Sequence, residues 1–252
     1  MILKLFKKIF LVIILSASHI LPQSFGFGCL GFVGGFGGYS YQQYKPDGLN
    51  RYVQNFNSRN SEYIENEMNE FGKATGYRVG INVFRAKFTG FFITAKGYYQ
   101  QLLENHNAIV YQTAIGIDYE YDLKLKSWGI GVDLGIPITT YLNWKIIDGS
   151  VLINSATFTE TINSSQGTAV NKFNNDKTEI GYSVGTGFIF DILKDYISIE
   201  GVASYSHLSI DKMKSNDGSG YLEYNNQEAS ARKFIDSGGF NAVIQLNLGF
   251  PL

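Results

Sequence analysis

Several segments of the chain alternate large apolar side chains with glycine, small polar or charged residues. Between Trp128 and Ile138 every even position is large and apolar, and the odd positions between them are three glycines, Asp133 and Pro137. A period of two is typical of a β-strand with two unlike faces, whereas a helix repeats its apolar residues about every 3.6 positions. The segment therefore predicts a strand with one apolar and one small or polar face.

The same alternation recurs along the chain and predicts eight strands in all. The first of them is rich in glycine and changes phase near Gly37 and Gly38, which predicts a bulge. The eight predicted strands are Cys29–Tyr41, Tyr77–Val83, Thr89–Tyr99, Ile109–Tyr121, Trp128–Ile138, Ile180–Phe190, Ile197–Tyr205 and Phe240–Phe250.

The connections between these strands alternate in length. The longer ones cover residues 42–74, 101–107, 139–177 and 211–237, and the short ones cover 84–88, 122–126 and 191–195. An up-and-down barrel has this alternation when one rim carries tight turns and the other carries extended loops. The sequence thus predicts an all-β, eight-stranded antiparallel barrel with long outer loops.

Two of the longer connections contain apolar patterns of their own. Ile64, Met68 and Phe71 in the first lie at helical spacing and predict a short helix that covers the barrel mouth. Val151–Thr159 in the third alternates like a strand, so a ten-stranded barrel stays open as an alternative.

The alternation alone does not say whether the apolar face meets lipid or a protein core, because a lipocalin-like barrel has the same period. In seven of the eight strands, however, the apolar-face positions contain no Asp, Glu, Lys or Arg. Lipid demands this, since a Lys or Arg at mid-bilayer costs roughly 2–4 kcal/mol. We therefore predict a transmembrane barrel with its apolar face outward. An aromatic girdle is expected at the tight-turn rim from Tyr119, Tyr121, Trp128, Phe188, Phe190 and Phe250.

The N-terminus has the order of a secretory signal peptide. Lys4, Lys7 and Lys8 precede the apolar run Ile9–Leu15, which is followed by the small residues 16–18. That run is too short for a membrane-spanning helix, which needs about 20 apolar residues. We predict Sec-type export, removal of residues 1–23 and a mature barrel domain over residues 24–252.

In its strand pattern and its terminal strand NAVIQLNLGF (residues 241–250), the chain resembles small outer-membrane barrels of the OmpA-transmembrane and OmpX-like type. The resemblance covers nearly the whole mature length. It implies a monomer in the cell outer membrane that contacts outer-membrane lipids and is inserted by the barrel-insertion machinery. Such proteins usually end in an aromatic residue, whereas here Pro251 and Leu252 follow Phe250.

Charge and motifs predict neither a nucleic-acid partner nor a cofactor. The 21 basic residues are balanced by 22 acidic ones, so no positive excess exists to neutralise phosphates. The glycines between Gly31 and Gly38 lack the Lys-Ser/Thr of a phosphate-binding loop. His106 has no second ligand at metal-binding spacing, and the lone Cys29 excludes an internal disulfide.

The most informative polar residues are charges on the predicted inner face. Counted from the tight-turn rim, five of them should lie at similar height, and buried charges must pair because an isolated one costs several kcal/mol. We predict a salt-bridge network that plugs the lumen and a structural or surface-interaction role in the cell envelope. The alternative is a narrow pore or ligand-binding barrel for small solutes. The predicted network consists of Arg78, Lys96, Asp118, Asp133 and Glu200.

A catalytic alternative rests on His207 and Ser209. This His-x-Ser pair at the outer end of a strand is similar to that of lipid A deacylase barrels, in which His activates Ser for acyl transfer. The Asn-Ala that commonly follows that Ser is missing, and only Glu223 or Glu228 is offered as an orienting acid. We expect a non-catalytic protein whose outer loops bind a partner that the sequence does not identify.

Overall fold

The computed structural model describes residues 24–26, 34–112, 115–218, 220–222 and 233–249. Eight antiparallel strands form a closed ring, because β6 pairs with β8 and β11 pairs with β2. The eight-stranded antiparallel barrel is confirmed. The strands of the ring are β2 (Gly34–Lys45), β3 (Lys73–Phe88), β4 (Phe91–Gln112), β5 (Ile115–Pro137), β6 (Leu142–Ser164), β8 (Glu179–Leu193), β9 (Ile197–His207) and β11 (Ser237–Gly249).

Four further elements lie outside the ring of eight strands. The short strand β1 (Ser24–Gly26) pairs with β3 at one rim, and β7 (Gly167–Asn175) forms a hairpin with β6 at the other. There β10 (Met213–Ser215) pairs with β7, and helix α1 (Asp47–Arg59) lies between β2 and β3. The predicted signal peptide, Cys29 and Phe250 lie outside the described residues.

The predicted alternation of connection lengths is present, although several boundaries differ. Residues 89–90, 138–141 and 194–196 form short turns at one rim, which we call the lower rim. The opposite, upper rim carries α1, the β4–β5 hairpin, β7 and the segment that contains β10.

Several assignments made from the sequence were wrong. The bulge predicted near Gly37 and Gly38 is absent, because β2 pairs there in regular register with both β3 and β11. The segment Ile109–Tyr121 is not one strand, because the chain turns between Gln112 and Ile115. The segments 101–107 and 122–126 are not connections, since they lie inside β4 and β5. The count of eight is preserved because Val151–Thr159 belongs to β6, a wall strand that the sequence analysis placed in a loop, and only the upper end of this segment pairs with β7.

The errors on β4 and β5 have one physical cause: the apolar side chains change face halfway along the wall. On β5, the odd positions point inward both above and below Trp128, from Tyr121 to Gly135. Below Trp128 they are mainly glycine and Asp133, whereas above it they are Tyr121, Leu123 and Leu125, which are buried. The sequence therefore changes phase although the strand continues. Tyr119 and Tyr121 belong to this inner face and not to the predicted lower girdle.

We divide the barrel at the level where Tyr99, Trp128 and Ile153 lie side by side on β4, β5 and β6. Below it, in the lower half, the exterior is apolar, and Ile130 is 77% exposed. Along β5 this belt runs from Trp128 to Ile136, which matches the roughly 9–11 residues that a strand needs to cross a bilayer. The predicted outward direction of the apolar face is thus confirmed for the lower half.

Aromatic side chains mark both edges of the belt. Phe188 and Phe190 lie near the lower rim as predicted, whereas Trp128 lies at the upper edge. Exposed aromatic residues along the upper edge are Tyr39, Tyr77, Trp128, Tyr182, Tyr205 and Phe240, and those near the lower rim are Tyr141, Phe188, Phe190 and Tyr196.

Above the belt, in the upper half, the arrangement is reversed. The exterior of β5 carries Asp122, Lys124 and Lys126, and the interior is an apolar core. Leu49 and Val53 of α1 are fully buried in that core. The helix predicted from Ile64, Met68 and Phe71 was wrong. Ile64 forms an isolated β-bridge with Val110, and Met68 and Phe71 are buried in the same core without being helical. No helix among the described residues is both long and apolar enough to cross a membrane.

Candidate functional site

Five charged side chains meet inside the lower half. Lys145 Nζ lies 2.8 Å from an oxygen of Asp133, 2.9 Å from Asp148 and 2.6 Å from Glu200. Lys96 Nζ contacts Asp133 at 2.8 Å and also contacts Asp148. We call these five residues the ionic cluster. Lys145 is 1% exposed, so the cluster lies inside the barrel and out of contact with bulk water.

A bulge in β6 makes the cluster possible. Lys145 and Asp148 are three residues apart, so a regular strand would place them on opposite faces. The pairing of β6 with β8 shifts between them, and both side chains point inward. Gly131 on β5 provides room, since a Cβ there would lie 2.3 Å from Ser150 Oγ and 3.1 Å from Lys96 Cε.

The structure brings together three of the five residues named from the sequence, namely Lys96, Asp133 and Glu200. It adds Lys145 and Asp148, which the sequence analysis missed because it placed them in a loop. The bulge interrupts the alternation that would have revealed them. Two successive residues, Ile146 and Ile147, both point outward there.

Arg78 lies above the cluster, in a layer of neutral polar groups. Its guanidinium donates to Gln100 Oε1 at 2.7 and 2.9 Å and stacks over the Tyr98 ring at 4.3 Å. None of the ion pairs given for the described residues involves Arg78. Two lysines and three carboxylates give the ionic cluster a formal charge of −1, and Arg78 balances it within the same low-dielectric interior.

Asp118 does not join these residues. It pairs with Ile109 and Asn163 near the tip of the β4–β5 hairpin. Asp133 is fifteen positions away on the same strand, which is roughly 50 Å at about 3.3 Å per residue. The height predicted for Asp118 was wrong because the segment Ile109–Tyr121 was taken to cross the whole wall.

An apolar core fills the interior of the upper half. Tyr121, Phe158 and Tyr52 of α1 form ring contacts with centroids 5.4–5.9 Å apart. The core also includes side chains from both long upper segments. They are Leu49, Val53, Met68, Phe71, Leu208, Ile210, Met213, Phe234 and Ile235.

Two carboxylates tie the upper segments to the wall. Glu104 on β4 accepts hydrogen bonds from the Tyr44 hydroxyl and from the backbone N–H groups of Gly72 and Lys73. Glu160 on β6 accepts a hydrogen bond from the Tyr52 hydroxyl at 3.0 Å. Burial, reinforced by the negative charge of Glu160, raises the pKa of Tyr52 far above its ordinary value.

Below the ionic cluster, the lumen opens to the lower rim through a cavity of about 300 Å³. Arg85, Lys87, Phe92 and Asn143 are among its lining residues. Asn247 lines its inner end and donates to Glu200 at 3.1 Å, so the cavity ends at the cluster. At its mouth, the hydrogen bond from Lys87 lowers the pKa of Asp195.

The geometry does not assemble the proposed His–Ser pair. The His207 ring stacks on Tyr182 with centroids 5.1 Å apart. The Ser209 hydroxyl accepts a hydrogen bond from Lys233 Nζ at 2.8 Å, and Lys233 also contacts Asp211. Among the described residues, no hydrogen bond joins His207 to Ser209. The possible acids Glu223 and Glu228 lie outside the described residues.

Within the described part of the chain, no three His, Cys, Asp or Glu side chains are grouped so that they could hold a metal ion. The cavity and the ionic cluster are the two features that bring charged side chains together inside the lower half.

No protein-family model matches the chain, and no curated protein matches it. Among solved structures it is similar to Ail, the attachment invasion locus protein of Yersinia pestis, with 12% identity and a TM-score of 0.39 over 87% of this chain and 99% of that one. It is also similar to Neisserial surface protein A, with 11% identity and a TM-score of 0.40 over 87% and 97% of the two chains. At this low similarity neither protein indicates what this chain binds. The closed, eight-stranded antiparallel barrel is established by the chain's own strand pairing.

Proposed function

We propose that this protein is a monomeric outer-membrane barrel with a closed lumen, which presents its upper half outside the cell for a structural or surface-interaction role. The observation that carries the proposal is the exchange of faces at Trp128. Below it apolar side chains point outward, and above it they point inward. This is the distribution expected of a wall that leaves lipid and enters water. In this proposal, lipids surround the lower half after the barrel-insertion machinery has assembled it.

Two barriers in series support a closed lumen. An ion that entered from the lower rim would have to separate Lys145 from Glu200, whose contact of 2.6 Å is shielded from water. It would then meet the apolar core around Phe158, where no water replaces its hydration shell. Either barrier alone is sufficient to prevent conduction.

Single-channel recording tests the closed lumen. Purified protein in a planar bilayer should give no sustained current. The variants Arg78→Met and Glu200→Gln should also stay closed because the apolar core is intact, and so should Phe158→Ala because the cluster is intact. Only a variant that combines Glu200→Gln with Phe158→Ala is expected to leak. Sustained current through the native protein that changes with Glu200→Gln would establish a pore instead.

Membrane residence has its own test. Membrane fractionation and gel migration with and without heating should give a detergent-extracted band that shifts on heating. A freely soluble periplasmic protein would overturn the membrane assignment, whatever the recordings show.

The cavity of about 300 Å³ at the lower rim favours a second candidate, a barrel that binds a small solute without passing it. Its cations Arg85, Lys87 and Lys194 outnumber Asp191 and Asp195, so an anionic solute would fit best. Saturable binding of a small carboxylate that is lost in Arg85→Gln would support this candidate.

A catalytic role for Ser209 is not proposed. A lipid A deacylation assay should give the same background for the native protein and for Ser209→Ala, since Ser209 is bonded to Lys233 and not to His207. Activity that Ser209→Ala abolishes would restore the catalytic alternative.

A further inference from the structure

The lipid-facing side of the lower half contains a groove whose floor is a glycine. Gly97 on β4 lies between Ile81 on β3 and Ile130 on β5, both of which point outward. A Cβ at Gly97 would meet only the backbone oxygen of Gly129, 4.0 Å away. Gly97 lies on the floor of an apolar groove of about 670 Å³ that extends across β3 to β6 and is bounded above by Tyr99 and Trp128.

Two lysines lie directly above this groove. Lys126 and Lys124 precede Trp128 on β5 and lie above it on the outward face, in steps of about 7 Å along the strand. Their neighbours across β4 and β6 are Gln101 and Ser155 at one level and Leu103 and Thr157 at the next, none of which is charged. No ion pair given for the described residues includes either lysine.

We propose that the groove holds one acyl chain of an anionic glycerophospholipid whose phosphate lies against Lys126 and Lys124. The inference rests on the proposed membrane location. The groove is one side chain deep and lined almost entirely by apolar atoms, so a narrow hydrocarbon chain fits it. A second barrel does not fit, because its convex wall cannot reach a floor that lies between Ile81 and Ile130.

The arrangement of the lysines selects the headgroup. They lie in one column along the strand, so both can reach the same phosphate. Asp122, the next outward residue above them, has a carboxylate that accepts a hydrogen bond from Asn105 and lies farther from the groove. A lipid A disaccharide carries its phosphates at two ends and would present the second one to uncharged neighbouring strands. The structure thus favours a lipid with one phosphate and a net negative charge.

The experiment is native mass spectrometry of the full-length, heat-modifiable barrel, released from detergent after incubation with phosphatidylglycerol, phosphatidylethanolamine or lipid A. Gly97→Leu fills the groove, and Gly201→Leu is the matched control. Gly201 also points outward, and a Cβ there meets nothing within 4 Å. We expect bound phosphatidylglycerol on the native protein and on Gly201→Leu, and at least roughly tenfold less on Gly97→Leu.

The headgroup contacts are tested by Lys124→Gln and Lys126→Gln. Each should weaken phosphatidylglycerol binding roughly fivefold, the effect of removing one cation near an anionic headgroup. Binding of phosphatidylethanolamine should hardly change. Together the two substitutions should abolish the preference for the anionic lipid.

Several results would overturn the proposal. They are equal retention by Gly97→Leu and Gly201→Leu, equal retention of the two phospholipids, a preference for lipid A, or a dimer in place of a lipid adduct. Each variant is assayed only as a folded, heat-shifted barrel, so any of these results leaves the membrane assignment standing. Failure of that assignment would appear earlier, as the absence of a detergent-extracted barrel.

Discussion

Strands β4, β5 and β6 run through both the lower and the upper half of the barrel, yet the two halves sort side chains in opposite directions. On β6, Val151 and Ile153 face outward below the division, whereas Ala156 and Phe158 face inward above it. The hydrogen-bonded ladder continues through the change. The comparison teaches that a period of two identifies a strand, whereas its phase identifies the surroundings of each face. A change of phase therefore need not mark a turn.

The largest expected effect comes from breaking the interior of the lower half. Lys145→Met removes the lysine that contacts all three carboxylates of the ionic cluster. We expect the free energy of unfolding to fall by roughly 3–5 kcal/mol, because the carboxylates stay buried with one lysine between them. Urea unfolding from lipid vesicles measures the change.

The control for this variant keeps the charges balanced. Lys145→Met combined with Glu200→Gln removes one charge of each sign and should cost less than Lys145→Met alone. If the two losses simply add, the residues do not act as a pair and the cluster is not what holds the lower half together.

The next largest effect compares the two exteriors with a matched substitution. Val132 lies in the middle of the lower belt, and Val170 on β7 is similarly exposed in the upper half. Val132→Arg should destabilise the barrel in vesicles by roughly 2–4 kcal/mol, since it places a cation at mid-bilayer depth. Val170→Arg should change stability by less than about 0.5 kcal/mol. Similar costs at both positions would contradict the proposed location of the lipid.

A smaller loss of stability is expected when the hydrogen bond between α1 and the wall is removed in the upper half. Tyr52→Phe removes the hydrogen bond to Glu160 and should cost roughly 1–2 kcal/mol. The surface variant Tyr63→Phe should cost almost nothing. Protease resistance of the upper segments, followed in folded protein, separates this local loss from unfolding of the whole barrel.

The same tyrosine predicts a pH dependence. Its pKa is higher in the folded protein than the ordinary value of about 10, so its contribution to stability is complete below that pH and is lost as the pH rises. The upper half should therefore loosen in alkali, and Tyr52→Phe should weaken that dependence. An unchanged alkaline profile in Tyr52→Phe would show that another group is responsible.

The smallest effect concerns the lower rim. Lys87 lowers the pKa of Asp195, so this contact stabilises the barrel above about pH 4 and loses its effect as the pH falls further. Both side chains are more than one third exposed, so Lys87→Met should cost less than about 1 kcal/mol, and salt should reduce that cost. A large loss that salt does not alter would assign Lys87 a different role.

The sequence predicts the lower half well because one rule operates there. Trp128–Ile138 is recognised because its outward residues are apolar, whereas its inward residues are mainly glycine and the paired Asp133. In the upper segments 101–107 and 122–126, polar residues face outward and apolar residues face inward. Their Lys, Asp and Asn residues therefore resemble those of a loop when an apolar exterior is expected. Tyr121 was assigned to the wrong surroundings for the same reason.

The candidate site divides in the same way. Lys96, Asp133 and Glu200 occupy regular inward positions, so the alternation identifies them. Lys145 and Asp148 lie on either side of a bulge, and no local sequence pattern indicates that both point inward. The helix α1 was also misplaced, since few of its residues are apolar and its position is set by contacts of Leu49 and Val53 with distant strands.

The uninterrupted passage of β4 and β5 through the exchange of faces also constrains how such a barrel is built. If the lower half lies in the outer membrane, then the hairpin that joins these strands has crossed the hydrocarbon layer with Glu120, Asp122, Lys124 and Lys126 attached. Those side chains cannot cross next to lipid at low cost, so they must be shielded during translocation. Phe158 and Tyr52 can meet only on the far side, which makes the outer core the last part of the molecule to fold.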